Sequence, residues 1–227
     1  MLKHYLQKHG YLWNNRAYLK SVFFGLFVLA IGLAVSAIAM EHLKHALHAQ
    51  WGPDIFLDNL PVLKLKDVLG WGMELLLIGL IPLLLLYPEY MPFSLKTIGL
   101  LYAIRSFFIV LTPLGNRPDQ VVETSGFFYR IAYSSNDFFF SGHVAFPFML
   151  ALIFWEVKPI RFLMLVVAVF FAAAVLLAHT HYSIDVFSVP FIVPTIFGLS
   201  RYLFPHDVRY TRVQYSGPHA EHIPPIL

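Results

Sequence analysis

Cysteine is absent from this 227-residue chain, which excludes disulfides, thiolate metal centres, iron-sulfur clusters and a cysteine nucleophile. Charge is scarce as well: Asp, Glu, Lys and Arg make up only 13% of the residues, and the formal net charge of +3 includes no polybasic run. Nucleic-acid binding and strong attraction to anionic lipid both need clustered cations, so neither is indicated. Internal repeats, low-complexity tracts and a polar linker that would separate two globular domains are also missing. What remains is apolar. Hydrophobic residues reach 58% and aromatics 17%, 22 of them Phe, and the mean hydropathy is +0.66. A water-solvated surface does not tolerate that composition, and an all-α integral membrane protein does.

A spanning helix needs about 20 mostly apolar residues, and runs near that length fall at 21–40, 68–87, 94–111, 138–155, 162–178 and 184–204. They predict six transmembrane helices. Residues 1–20 interleave Lys3, Lys8, Arg16 and Lys20 with Tyr5, Tyr11, Trp13 and Tyr18, the pattern of an interfacial segment. The catalytic domain is then expected at 21–204 and a cytoplasmic tail at 205–227. Ala37-Ile38-Ala39 has the form of a signal-peptidase site, but the apolar run before it is too long for a signal peptide, so an uncleaved anchor is expected.

Lys and Arg accumulate on the cytoplasmic side. With the N-terminus inside, ten cations, including Lys96, Lys158 and Arg201, fall on the cytoplasmic face and five, Lys44, Lys64, Lys66, Arg117 and Arg130, on the other. Both termini are expected in the cytoplasm. The start of the fourth span, the end of the fifth and the start of the sixth then share the exoplasmic, periplasmic or lumenal face.

Three ionisable side chains meet on that face: His143, after Ser141-Gly142, and His181 with Asp185. A four-residue spacing lets the carboxylate reach the imidazole. Such an Asp fixes the tautomer, one ring nitrogen attacks, and a second His protonates a leaving oxygen. Ionisable residues at membrane depth are costly and usually functional, which sets this combination apart from histidines that merely cap helices.

These residues resemble the sphingomyelin synthase branch of the lipid phosphate phosphatase superfamily. Asn136-Asp137-Phe138-Phe139-Phe140-Ser141-Gly142-His143 is similar to that branch's third motif, and His179-Thr180-His181-Tyr182-Ser183-Ile184-Asp185-Val186 to its fourth. Ser135-Asn136 stands where the branch usually has Cys-Gly. Arg105 with Thr112, and Pro53-Asp54 with Asp58, match more weakly. The resemblance implies a six-span fold in which His181 attacks lipid phosphorus, Asp185 orients it, and His143 protonates the leaving diacylglycerol and then activates an acceptor hydroxyl. It implies a substrate contact for Arg105, Asp137, Ser141, Gly142, His179 and Tyr182. The partners would be a phospholipid donor and a lipid alcohol such as ceramide, with no metal, nucleotide or other cofactor. The superfamily's phosphatases carry a Lys and two Arg around a dianionic phosphate, one Arg in a Ser-Arg pair; here that pair is Ala174-Val175, and the Lys position, seven residues before Arg117-Pro118, is Val110. A head-group transferase is therefore expected ahead of a phosphatase, and both ahead of a non-catalytic transporter or scaffold. Short connections favour a bacterial inner membrane.

Arg105 sits close to mid-membrane, where Glu74 of the second span or a substrate phosphate would compensate its charge. His42, His45 and His48 step by three and drift around a helix, as an exposed polar face does. Pro190 and Pro194 are expected to kink the sixth span by packing geometry alone.

Overall fold

A computed structural model describes residues 2–44, 50–112, 114–115, 117–121 and 139–212. Every regular element among them is helical. They are α1 (Leu2–Trp13), α2 (Arg16–Lys44), a 3-10 turn (Leu57–Asn59), α3 (Lys66–Leu86), a second 3-10 turn (Pro88–Tyr90), α4 (Met91–Leu111), α5 (Gly142–Ile153), α6 (Lys158–Leu177), α7 (Ser183–Phe187), α8 (Val189–Leu203) and α9 (Pro205–Arg212). An all-α membrane protein is the result. Five stretches, Arg16–Leu43, Lys66–Leu86, Pro88–Leu111, Lys158–Leu177 and Ser183–Leu203, are long and apolar enough to cross a bilayer.

The run expected at 138–155 is the exception. Its helix is the 12-residue α5, beginning at Gly142, and 12 residues rise only about 18 Å against a hydrocarbon core of about 30 Å. The expected sixth span is also divided, into α7 and α8 with Ser188 between them. Pro190 has no N–H to return to the preceding turn, so the ladder resumes with Phe191 and Ile192 donating to the Ser188 carbonyl at 3.1 and 3.0 Å.

α2 starts at an Asn15 cap, whose side-chain oxygen accepts from the N–H groups of Ala17 and Tyr18 at 2.8 and 3.3 Å. It packs along α4 at the closest approach that helices allow. A Cβ on Gly32 would lie 2.1 Å from the Gly99 carbonyl oxygen, and one on Gly99 would lie 2.6 Å from the Val28 oxygen. Glycine on both sides is therefore a requirement of the crossing. A core around Phe146, Met149, Phe154 and Phe171 joins α5 to α6, while Phe23, Ile38, Leu75, Ile81, Val166 and Val169 stay exposed on the outside. Outward apolar side chains of this kind suit a lipid-facing perimeter.

At one end of the bundle Lys96, counted from sequence among the cytoplasmic-face cations, is buried inside α4. Its Nζ donates to Asp207 of α9 at 2.5 Å and to Ser21 of α2 at 2.6 Å, between the rings of Phe24 and Phe204. Ser21 also donates to Asp207. α9 is thus joined to the bundle by a buried charge pair.

Candidate active site

The opposite end is organised by the turn that follows α6. Thr180 N–H returns to the Val175 carbonyl and His179 N–H to that of Leu176, both at 3.1 Å, with His179 at φ 52°. This is a Schellman closure with histidine in the left-handed position that glycine normally takes. A side chain held there costs about 1–3 kcal/mol of backbone strain. Its imidazole compensates by reaching Asp119, Nδ1 to Oδ2 at 2.8 Å, and the residue is buried.

Two residues on, His181 Nδ1 meets Asp185 Oδ2 at 3.2 Å, and Asp185 is 0% exposed. The helix begins only at Ser183, so the contact forms across a turn into α7 and not along a helix face as the spacing suggested. The same Oδ2 accepts the Tyr182 N–H at 3.1 Å, and Oδ1 accepts the Phe139 N–H at 3.1 Å. A carboxylate that accepts from Nδ1 keeps the proton there and makes Nε2 the lone-pair nitrogen of His181. The Asp185 backbone carbonyl takes the Ser141 N–H at 2.9 Å. That bond ties the start of α5 to α7.

His143 lies in the first turn of α5, 2% exposed, with its ring centroid 6.3 Å from that of His181 and 5.6 Å from Phe171. Arg105, also 2% exposed, donates from Nε to the Phe140 carbonyl at 3.0 Å. Arg105 stands six residues inside the end of α4, so the entry to α5 lies about 9 Å below that end. The short helix thus recesses its histidine into the bundle. Phe139 and Phe140 both take positive φ to make this entry, and Ser141 and Gly142 follow them.

Two outer segments close over the turn. Tyr182 donates from its hydroxyl to the Gly115 carbonyl at 2.9 Å and accepts the Gly52 N–H at 3.3 Å. Asp54 accepts the N–H groups of Phe56 and Leu57 at 3.0 and 3.2 Å and that of Ser183 at 2.6 Å. Burial pushes its carboxyl up, but these donors outweigh burial and hold it below the ordinary carboxylate range. Arg117 bridges Asp58 at 2.9 Å and Asp119 at 3.0 and 3.3 Å. Its hydrogen bond is the largest influence on the Asp119 carboxyl, and with help from His179 it prevails over burial to hold that group down. Asp119 had no sequence signal beyond its place two residues after Arg117.

Of the residues singled out from sequence, the structure brings His143, His181, Asp185, Arg105, Ser141 and Gly142 to one recess. It places the hydroxyl of Tyr182 and Nδ1 of His179 toward the outer segments. Asp137, Arg130, His45 and His48 lie outside the described residues. No group of three or more His, Cys, Asp or Glu side chains suited to a metal ion occurs among the described residues.

Residues 134–202, which hold both histidine blocks, match the family model described as PAP2 superfamily C-terminal. No curated protein and no solved structure matches the chain.

Proposed function

From the match of residues 134–202 to the PAP2 superfamily C-terminal model we propose that the chain is a member of the PAP2, or lipid phosphate phosphatase, superfamily and that it transfers a phosphocholine- or phosphoethanolamine-type head group from a glycerophospholipid to a lipid hydroxyl. Membership supports a lipid phosphatase or phosphotransferase. The observation that carries the finer reading is the pairing of the recessed histidines, 6.3 Å between centroids, with Asp185 on Nδ1 of His181. That carboxylate marks His181 as the nucleophile. His181 Nε2 attacks phosphorus while the bond to the diacylglycerol oxygen breaks and His143 supplies that oxygen with a proton. His143, now neutral, takes the proton of the acceptor hydroxyl. The resulting alkoxide attacks phosphorus, the P–N bond breaks, and His181 returns with Asp185 still on Nδ1.

Charge favours a phosphodiester over a phosphomonoester. The monoester carries close to two negative charges at neutral pH and the diester carries one. Ala174 and Val175, where the phosphatases place a Ser-Arg pair, are packed in the core, and Arg117 is committed to Asp58 and Asp119. Arg105 is the buried cation beside the recess, suited to a monoanion. The expected outcome is a kcat/KM for a choline or ethanolamine phosphodiester at least about tenfold above that for phosphatidic acid, equal to about 1.4 kcal/mol of transition-state binding. Faster release of inorganic phosphate from phosphatidic acid would replace transfer with hydrolysis as the reading.

A further inference from the structure

α8 runs from the end of the bundle that holds the histidines to the other, and Arg201 stands about 18 Å along it from its first residue, Val189. There the ends of α4, α5, α8 and α9 leave a cavity of about 750 Å³. Tyr90, Phe93, Trp155 and Phe197 line it together with two charged side chains, Glu156 and Arg201. Among the described residues neither charge has an ion-pair partner, and they do not pair with each other although they border one space. The Arg201 guanidinium lies 6.0 Å from the Phe197 ring, and a second, smaller cavity shares Arg201 and adds Arg209.

Unmatched opposite charges across an aromatic cavity are complementary to a zwitterion. At this level of the bundle, where the aromatic side chains mark the polar edge of the bilayer, the abundant zwitterion is a phospholipid head group. We infer that this cavity binds a zwitterionic phospholipid of the leaflet opposite the catalytic histidines, its phosphate on Arg201 and its ammonium on Glu156. Arg161 already covers Trp155, 4.7 Å from its ring, and donates to the Trp155 carbonyl at 3.1 Å, so Arg201 is left as the phosphate partner. The site requires neither histidine, so it stands independently of the reaction proposed above.

Native mass spectrometry of the full chain, released from detergent after incubation with phosphatidylethanolamine or phosphatidylglycerol, tests the inference. Wild type is expected to retain one more phosphatidylethanolamine than Arg201→Gln. Glu156→Gln is expected to lose at least about threefold of the preference for phosphatidylethanolamine over phosphatidylglycerol, the scale of a partly exposed charge contact. Equal retention by wild type and Arg201→Gln would overturn the site. A lipid preference unchanged in Glu156→Gln would overturn the zwitterion and leave an anionic-lipid contact. Unaltered Tm in both variants shows that the readout is binding and not unfolding, and an Arg201→Lys variant that restores retention confirms the charge contact if Arg201→Gln is unstable.

Discussion

At the Asp185 carboxylate three donors converge, from His181, Tyr182 and Phe139, so one side chain sets the tautomer of His181 and also the backbone of two chain segments. Asp185→Asn is therefore expected to fail in two ways. Turnover should fall steeply, about 10⁴-fold if the wrong tautomer costs what it does in Ser-His-Asp enzymes. Stability should fall as well, by about 1–3 kcal/mol, because an amide nitrogen facing a backbone N–H leaves a buried donor unmatched. Steady-state kinetics and thermal unfolding check the two parts separately. Asp119 acts differently, through pH. Its carboxyl is held down first by Arg117, so its folded pKa lies below its unfolded value of about 3.9. The stability it adds is complete above the unfolded value and is lost as pH falls through the folded one. The Tm deficit of Asp119→Asn relative to wild type should accordingly shrink as pH drops below about 4; a deficit that stays constant in acid would contradict the pairing. His181 and Asp185 were legible in the sequence because their contact spans four residues. Asp119 was not, since its partner His179 is 60 residues away and nothing local requires a carboxylate there.

Among the elements, the α2–α4 crossing carries the sharpest steric constraint. A Cβ at Gly99 meets backbone atoms, the Val28 oxygen at 2.6 Å and Leu29 N and Cα at 2.8 Å, none of which rotates away. Gly99→Val should destabilise the bundle by about 1–3 kcal/mol or more, read as a lower Tm in detergent, whereas Gly79→Ala, with nothing within 4 Å of its Cβ, should leave it unchanged. Equal Tm values for the two variants would show that the helices do not meet at that glycine. Hydrophobic length predicted the long helices well because a bilayer imposes one period and one thickness on each. It failed for α5, where apolar residues continue beyond the 12 that are helical. A run of apolar side chains does not reveal where the backbone turns, and the positive φ of Phe139 and Phe140 is set by Asp185 and Arg105, which come from other elements. The division between α7 and α8 was partly visible through Pro190. Ser188, which accepts the bonds that restart the helix, was not.

Across the whole molecule, ionisable groups gather at the two ends of an apolar bundle and serve different purposes. At one end Lys96 and Asp207 form a buried pair that joins α9 to α2 and α4. At the other, two outer segments tie down the turn that holds His179, His181 and Asp185. Fold class and the convergence of the histidines followed from composition and span order, since neither depends on side-chain geometry. How a lone charge is satisfied did, and Lys96 shows it: a cation counted on the cytoplasmic face is held inside a helix by an acid 111 residues away. The central claim, a covalent head group on His181, is tested most directly by acid-sparing quench of the purified protein with a phospholipid labelled at its phosphate, followed by a chase with a lipid alcohol such as ceramide. The account predicts label on the peptide containing His181, absent in His181→Ala and discharged by the chase into a new lipid. Turnover that proceeds with no label on that peptide, or with full activity in His181→Ala, would contradict it.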